Sequence, residues 1–418
     1  MAQLSDDCFA QGGQLMRTEK ALELLAGSIV CVTEPEPAAI AQALGRILAE
    51  DVHAPHDVPP GDNSAVDGYA VFFDDLDPQG ETVLPIAGRA AAGHPLDAPP
   101  KRGVAVRIFT GAPMPEGMDT VMMQEDCRTD GENVTLPPGL KRGANRRARA
   151  EDVAAGSTVL HRGMRLRAQD LGQAAAMGRT ELMVSRPLNV ALFSTGDELC
   201  EPGAALPEGC IYDSNRYTLT GLLAGLGCTV DDLGIIEDRP EAIRAALEAA
   251  ARNHDLIVTS GGVSVGEEDY VKAAVEALGA LHLWRLAIKP GRPIALGQVG
   301  RVPFVGLPGN PVAVMVTFLN IVRPMILRLM GGTGLKPHHF RVRAGFSHKK
   351  KKNRREWVRA RLVSDGEAGW RAVKFPREGA GILSSMVESE GLVELPEDLT
   401  VLEPGTMVDF LPFSEVCS

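Results

Sequence analysis

The sequence predicts a multidomain α/β protein: a central doubly wound, mostly parallel α/β domain with β-rich modules and a small C-terminal β domain. Three observations lead there. Strand-like runs "NVALFST", "DLIVTSG" and "VPFVGLPG" alternate with helical patterns at 214–226, 240–252, 269–278 and 311–330, the texture of parallel strands joined by helical crossovers. Residues 53–160 are short β-type runs punctuated by proline and glycine, such as "GVAVRIFTG" and "DTVMMQE". Beyond "GGTGLKP" four more strand-like runs follow: "REWVRARLV", "GWRAVKFP", "GLVELP" and "GTMVDFLPF". A chain of 418 residues also exceeds what one core serves, and about 150 residues per domain suggests roughly three domains.

Taken in order, "RTEKALELLAGSIV" and "PAAIAQALGRILAEDV" place apolar residues at helical spacing. In the second, Ile40, Leu44 and Ile47 share a face and Pro37 suits an early turn, so two helices are expected to open the fold. The β-rich module follows from His53. "GSTVLHRGMRLRAQDLGQAAAMG" then returns to strand and helix and leads into "PLNVALFSTGDEL", where the α/β core begins. There is no internal repeat.

Composition narrows the function. Charged residues make up 23% and apolar residues 44%, and the net charge is −11. This argues against wholesale binding to nucleic acid or anionic membrane, so an anionic ligand needs a local basic cluster. Seven cysteines, odd in number and without a Cys-x-x-Cys pair, indicate neither a disulfide framework nor a zinc site, and reduced thiols are expected. "MAQLSDDCFAQGG" has no signal pattern and no run reaches the eighteen or so apolar residues that span a bilayer. The expectation is a soluble, cytoplasmic chain. No phosphate loop, dinucleotide fingerprint or G-x-S-x-G elbow is present. His53 and His56 straddle Pro55 and read as solvated loop residues. The run "HKKKKNRR", His348 to Arg355, reads as a solvated hairpin, with anion binding by one of its arginines as the competitor.

Chemistry concentrates in three polar turns, "STGDEL", "TSGGVSVGEEDY" and "GLPGNP", each after a predicted core strand. A parallel sheet places all three on one rim. Asp197, Glu198 and Asp269 then converge with the amides of Gly261, Gly262 and Gly309. Gly261 and Gly262 reach φ > 0 and let a ligand approach the main chain. Glu267, Glu268 and Asp269 would repel an anion unless a hard cation such as Mg²⁺ lay between them. "AIKPGRPIALG" adds Lys289 and Arg292, whose charge an anionic substrate needs.

Motifs from every region then resemble one family. "DNSAVDGYAV", "RIFTGAPMPEGMDTVMMQE", "STGDEL", "IYDSN", "TSGGVSVGEEDYVK", "IKPGRP", "GLPGNPV" and "GILSSM…GLVELP" occur in order between about residue 17 and residue 413. Together they resemble the molybdopterin molybdenumtransferase (MoeA) family, whose eukaryotic relatives include the E domain of gephyrin. The resemblance implies a Mg²⁺-dependent transferase that inserts molybdate into adenylylated molybdopterin and releases AMP. It implies a homodimer of four-domain chains: 17–52 with 146–185 as an elongated dimerisation domain, 53–145 as the β-rich module, 186–330 as the molybdopterin-binding α/β domain, and 331–418 as the C-terminal β domain. Transient contact with other cofactor-biosynthesis proteins would follow.

In the family's terms, the Gly261-Gly262 turn holds the pterin phosphate or the adenylate. Asp269, Glu198 and Asp238 organise Mg²⁺. Lys289 and Arg292, with Ser264 and Asn310 as neutral donors and the turn Pro308, Gly309, Asn310 and Pro311, meet oxyanions. The resemblance gives Asp67 of "VDGYA" and Thr110 of "FTGAP" catalytic roles, in a cleft that they complete from the other subunit. Departures are Ala313 for a frequent serine, Arg292 for lysine, Ala150 for glycine, and Glu390 where a small or amide residue is common. Two alternatives stay open: the sister molybdopterin adenylyltransferase, a shorter class without the β modules, and a gephyrin-like scaffold, which would need a further domain and a long linker.

Overall fold

The computed structural model of the chain describes residues 15–262, 270–366 and 369–417. It divides into two compact units, one of Met1–Glu50, Arg162–Leu171 and Glu181–Ser418, the other of Asp51–His161 and Gly172–Thr180.

The first unit opens with helix α1 (Thr18–Ser28), which buries Ala21 and Leu25. The second expected helix does not form. Residues Pro35–Ala39 are a strand paired antiparallel with Glu181–Ser185, and Ile40–Gln42 is a short 3₁₀ turn. Pro35 and Pro37 supply no N–H and press the residues before them into extended backbone, which overrides the helical spacing. Ile47 is buried while Leu44 is 60% exposed, so the anticipated apolar face does not exist. The later segment does give a helix, α2 (Ala168–Ala176).

The central sheet has six strands in the order Thr229–Ile236, Asn189–Thr195, Leu256–Ser260, Val302–Leu307, Pro293–Val299, Gly279–Arg285. The first four run parallel, and Pro293–Val299 runs antiparallel to both of its neighbours, Val302–Leu307 and Gly279–Arg285. The short link at Gly300 and Arg301 can close only a hairpin, whereas a parallel return needs a crossover of a dozen residues or more. Residues alternate along each parallel strand between two cores. Val190, Leu192, Val258 and Val305 meet helix α3 (Asn215–Gly225) and the helical run from Pro311. Ala191, Phe193, Ile257 and Phe304 meet α4 (Pro240–Asn253) and α5 (Tyr270–Leu278). The run from Pro311 comprises α6 (Pro311–Thr317), a π turn at Phe318–Val322, and α7 (Arg323–Leu329). By length and composition it could cross a membrane, but 78% of its most apolar window is buried within the fold.

The C-terminal strands Phe340–Ala344, Arg355–Ser364, Trp370–Lys374, Gly391–Leu395 and Met407–Pro412 close into a ring, because Arg355–Ser364 pairs both Trp370–Lys374 and Gly391–Leu395. The two-residue strand Ile288–Lys289 joins its edge in parallel, with Lys289 opposite Glu356. That pairing fastens the "KPGRP" segment to the β domain.

The second unit is built on a six-stranded sheet in the order Thr120–Met123, Gly68–Val71, Ala105–Ile108, Thr82–Ala90, Asn133–Leu136, Arg128–Thr129. Alternate residues again feed two cores, one with Tyr69, Val71 and Met122, the other with Ala70, Val106 and Val121. Among the described residues six cysteines are present, and none forms a disulfide.

Candidate functional site

In the first unit, a cavity of about 720 Å³ opens at the carboxyl ends of the parallel strands. Its lining includes Gly196 and Glu198 of the first polar turn, Gly261 and Gly262 of the second, and Pro308, Gly309 and Asn310 of the third. The parallel registers Ser194↔Ser260 and Ser260↔Leu307 bring the three turns level. Asp238, Lys289, Arg292 and Ala313 line the same cavity. Pro311 is the first residue of α6, behind Asn310. Asp197 is not part of the lining. Ser264, Glu267, Glu268 and Asp269 lie outside the described residues.

The two glycines of the second turn do have positive φ, 89° at Gly261 and 63° at Gly262. The reason lies in the protein itself. A Cβ on Gly261 would lie 2.6 Å from the carbonyl oxygen of Thr195, and one on Gly262 would lie 2.5 Å from Val271 Cγ2. Gly309 differs, since a Cβ there would meet nothing within 4 Å. A strap holds two of the turns: Asn215 Nδ2 donates to Ser260 Oγ at 2.9 Å and to the Gly309 carbonyl at 2.7 Å. Asn215 belongs to "IYDSN", a motif visible in the sequence whose positioning part was missed.

Of the carboxylates, Asp238 accepts a hydrogen bond from Thr195 Oγ1 at 3.2 Å, and Glu198 folds across Gly196, where a Cβ would lie 2.6 Å from its Oε2. These two oxygen-donor groups suit a hard cation. Among the described residues no group of three His, Cys, Asp or Glu is arranged to hold a metal. The loop beyond Glu198 is braced by Arg216, whose side chain is 5% exposed and pairs with Asp213, Glu201 and Asp232. Burial works against its charge, but the three carboxylates push its pKa up.

The C-terminal ring supplies a wall of which the sequence suggested only an arginine of the basic run: His348, Arg354, Glu356, Arg359, Lys374 and Glu378. The basic run is therefore not a solvated hairpin throughout. Lys351 and Lys352 are exposed, but His348 is 7% exposed and Arg354 Nε donates to Glu356 Oε1 at 3.1 Å. Strand alternation turns its ends inward while the turn stays in water. Burial pushes the Glu356 carboxyl up, yet hydrogen bonds from His348 and Arg354 and the nearby Lys289 charge outweigh it and hold the pKa at about 2. Glu390 is elsewhere, accepting from the Leu362 amide at 2.7 Å and not lining this cavity. Ala150 adopts φ 60°, the left-handed conformation that glycine takes most readily.

In the second unit, the start of Gly68–Val71 and the end of Ala105–Ile108 are neighbours through the pairing Gly68↔Ile108. This brings Thr110 to Asp67: its amide and its hydroxyl donate to Asp67 Oδ1 at 2.8 and 2.9 Å. Arg107 Nη1 donates to the Gly68 carbonyl at 2.9 Å, and its guanidinium stacks 4.6 Å from the centre of Phe109. His53 is exposed and contacts Thr158 Oγ1 at 3.2 Å.

Three family models match the chain in succession: "MoeA N-terminal region (domain I and II)" over residues 16–178, "Probable molybdopterin binding domain" over 191–328, and "MoeA C-terminal region (domain IV)" over 341–413. A protein of Haemophilus influenzae called molybdopterin molybdenumtransferase is 39% identical over 92% of this chain and 95% of its own length. One of the same name from a Nostoc species is 36% identical over 87% of this chain and 85% of its own. A crystal structure described as molybdopterin biosynthesis moeA protein from Pyrococcus horikoshii superposes with a TM-score of 0.81 at 27% identity, covering 96% of this chain and all of that one. A second from the same organism gives 0.75 at 31% identity, covering 96% and 99%. With relatives matched along nearly their whole length and three family models in the same order, the chain belongs to the molybdopterin molybdenumtransferase (MoeA) family.

Proposed function

We propose that this protein inserts molybdate into adenylylated molybdopterin with release of AMP, forming molybdenum cofactor. The observation that carries the reading is the charge layout of the cavity, where the carboxylates of Glu198 and Asp238 share one space with Lys289, Arg292, Arg354 and Lys374. Molybdate is a tetrahedral dianion, and a wall of ammonium and guanidinium donors satisfies its oxygens with charge-assisted hydrogen bonds. The amides of the glycine turns and the Asn310 amide group orient a phosphate without adding charge. Asp67 and Thr110 are assigned to the same reaction, as a carboxylate kept ionised by two donors.

Mg²⁺ dependence belongs to this proposal. Glu198 and Asp238 would hold the ion with oxygen ligands, and Asp269 is assigned as the third. When bound, Mg²⁺ would neutralise charge on the phosphoanhydride as AMP leaves. The glycine turn and the lysines then fix where the two anions sit, and the half-buried wall excludes water from between them. The frame of the proposal is the four-domain division given above in a homodimer, which sedimentation at micromolar concentration tests. For the activity, purified protein is incubated with adenylylated molybdopterin, molybdate and Mg²⁺. AMP and active cofactor are expected together, and no AMP with all three present would sink the assignment.

A further inference from the structure

His348 is almost fully buried, and both of its ring nitrogens are engaged. Nε2 lies 3.1 Å from Oε2 of Glu356, a carboxylate whose residue is 2% exposed. Nδ1 lies 3.3 Å from Lys374 Nζ and 3.8 Å from Oε1 of Glu378. Lys374 also pairs with Glu378. Lys289 Nζ stands 3.6 Å from Oε2 of Glu356 and 3.6 Å from Oε2 of Glu378, and Arg354 completes the shell on Glu356. Two further cations are near but committed elsewhere: Arg359 Nη2 donates to the carbonyls of Arg377 and Gly379, and Lys350 donates to those of Pro396 and Leu399.

An ammonium only donates, so Lys374 on Nδ1 defines a neutral imidazole with its proton on Nε2, donated to Glu356. Lys289, Arg354 and Lys374 then face Glu356 and Glu378, leaving one net positive charge. A dianion drawn against this cluster carries one negative charge more than the cluster offsets. Besides Arg292 and Arg377, which line the same cavity, the cations of this cluster that it can recruit are the accessible ones, Lys289 and Lys374, whose side chains are 45% and 20% exposed. Drawing them away strips partners from a buried carboxylate, which is costly unless another positive charge takes their place. The ring lies between the two carboxylates that would be stripped.

We propose that His348 is the positioning residue of this wall, taking up one solvent proton as a tetrahedral oxyanion draws Lys374 off Nδ1. The imidazolium then donates Nε2–H to Glu356 and Nδ1–H to Glu378, while both lysines serve the anion. The net charge of the wall rises by one, to match the dianion. This rests on the reading that the cavity takes molybdate. The sign follows from the proton taken up: oxyanion affinity is greatest at low pH and falls as pH rises.

The test measures KM for molybdate and kcat between about pH 6 and 8, the range of histidine titration, for the wild type, His348→Gln and His348→Ala. In the wild type KM should rise with pH by up to about tenfold per unit, the limit for one proton, while kcat changes little. His348→Gln keeps a donor for Glu356 and an acceptor for Lys374 but cannot titrate, so its KM should be flat with pH while it rescues the binding lost in His348→Ala. A flat wild-type profile, or a glutamine variant that keeps the wild-type slope, overturns the proposal. Calorimetric titration with sodium molybdate, in two buffers of different ionisation enthalpy, separates this from the assigned activity. Uptake of close to one proton per oxyanion is expected for the wild type and none for His348→Gln. Binding without proton uptake by the wild type refutes the role of His348 even if AMP is released, and uptake without AMP release refutes the activity alone.

Discussion

The amide and the hydroxyl of Thr110 converge on a single oxygen, Oδ1 of Asp67, at 2.8 and 2.9 Å. The Thr110 amide and then its hydroxyl hold the Asp67 carboxyl below the usual range, against the opposing effect of desolvation and with a smaller contribution from Arg107. Thr110→Val removes the hydroxyl and keeps the amide. The pKa of Asp67, followed by carboxyl NMR, should therefore move up toward the ordinary value without reaching it. Because the depressed pKa favours the ionised form above it, the acid limb of kcat/KM should move to higher pH in the variant. An unmoved Asp67 titration would mean that the amide alone sets it.

Glu356 makes a prediction about stability. Its carboxyl titrates at about 2 in the fold, well below the ordinary glutamate range. The stabilisation is therefore fully present above roughly pH 4.5 and disappears as pH falls toward about 2. Glu356→Gln leaves His348, Arg354 and Lys289 without their shared anion, and should cost about 3–5 kcal/mol at neutral pH. Urea denaturation at pH 7 and near pH 3 measures both statements: the gap between wild type and variant should narrow on acidification. A constant gap would assign the loss to packing.

Arg216 and Asp213 are buried together at the start of α3, with side chains 5% and 1% exposed. Arg216→Met leaves a buried carboxylate without its cation and should cost about 3 kcal/mol or more. Asp213→Asn in the same background should recover part of that loss, since the charge left behind is then gone. Additive losses in the double variant would show that Arg216 acts through Glu201 and Asp232 instead.

Much of the strand-end rim was legible because it needs only local signals: an apolar run, then a polar turn with glycine, three times over. The parallel-sheet rule did the rest, and Gly261, Gly309 and Glu198 meet accordingly. The opening segment misled because Ile40, Leu44 and Ile47 mimic a helix while Pro35 and Pro37 forbid one, and only the pairing with Glu181–Ser185 decides. Of the charged wall the sequence offered only the basic run, with anion binding by one of its arginines as the competing reading. His348, Glu356 and Lys374 gather through strand pairings such as Lys289↔Glu356 and Ala360↔Lys374, which no spacing within one run encodes. A signal was present in retrospect: the carboxylate of "NRREW" stands alone inside a basic stretch, the pattern of a charge recruited to pair.

The glycines of the rim give the sharpest distinction between fold and function. Gly261→Ala must place a methyl 2.6 Å from a main-chain oxygen at φ 89°, so it should lose about 1–3 kcal/mol of stability before any ligand is considered. Gly309→Ala meets no protein atom within 4 Å, and its stability should stay within about 0.5 kcal/mol of wild type. A ligand that packs against the main chain at Gly309 would nevertheless collide with the new methyl. A displacement of about 1 Å at a reacting group costs on the order of 10²-fold in rate, so kcat/KM for adenylylated molybdopterin should fall steeply while the denaturation midpoint holds. Wild-type turnover by Gly309→Ala would show that this turn needs its glycine for neither folding nor substrate, and would move the phosphate contact to the Gly261-Gly262 turn alone.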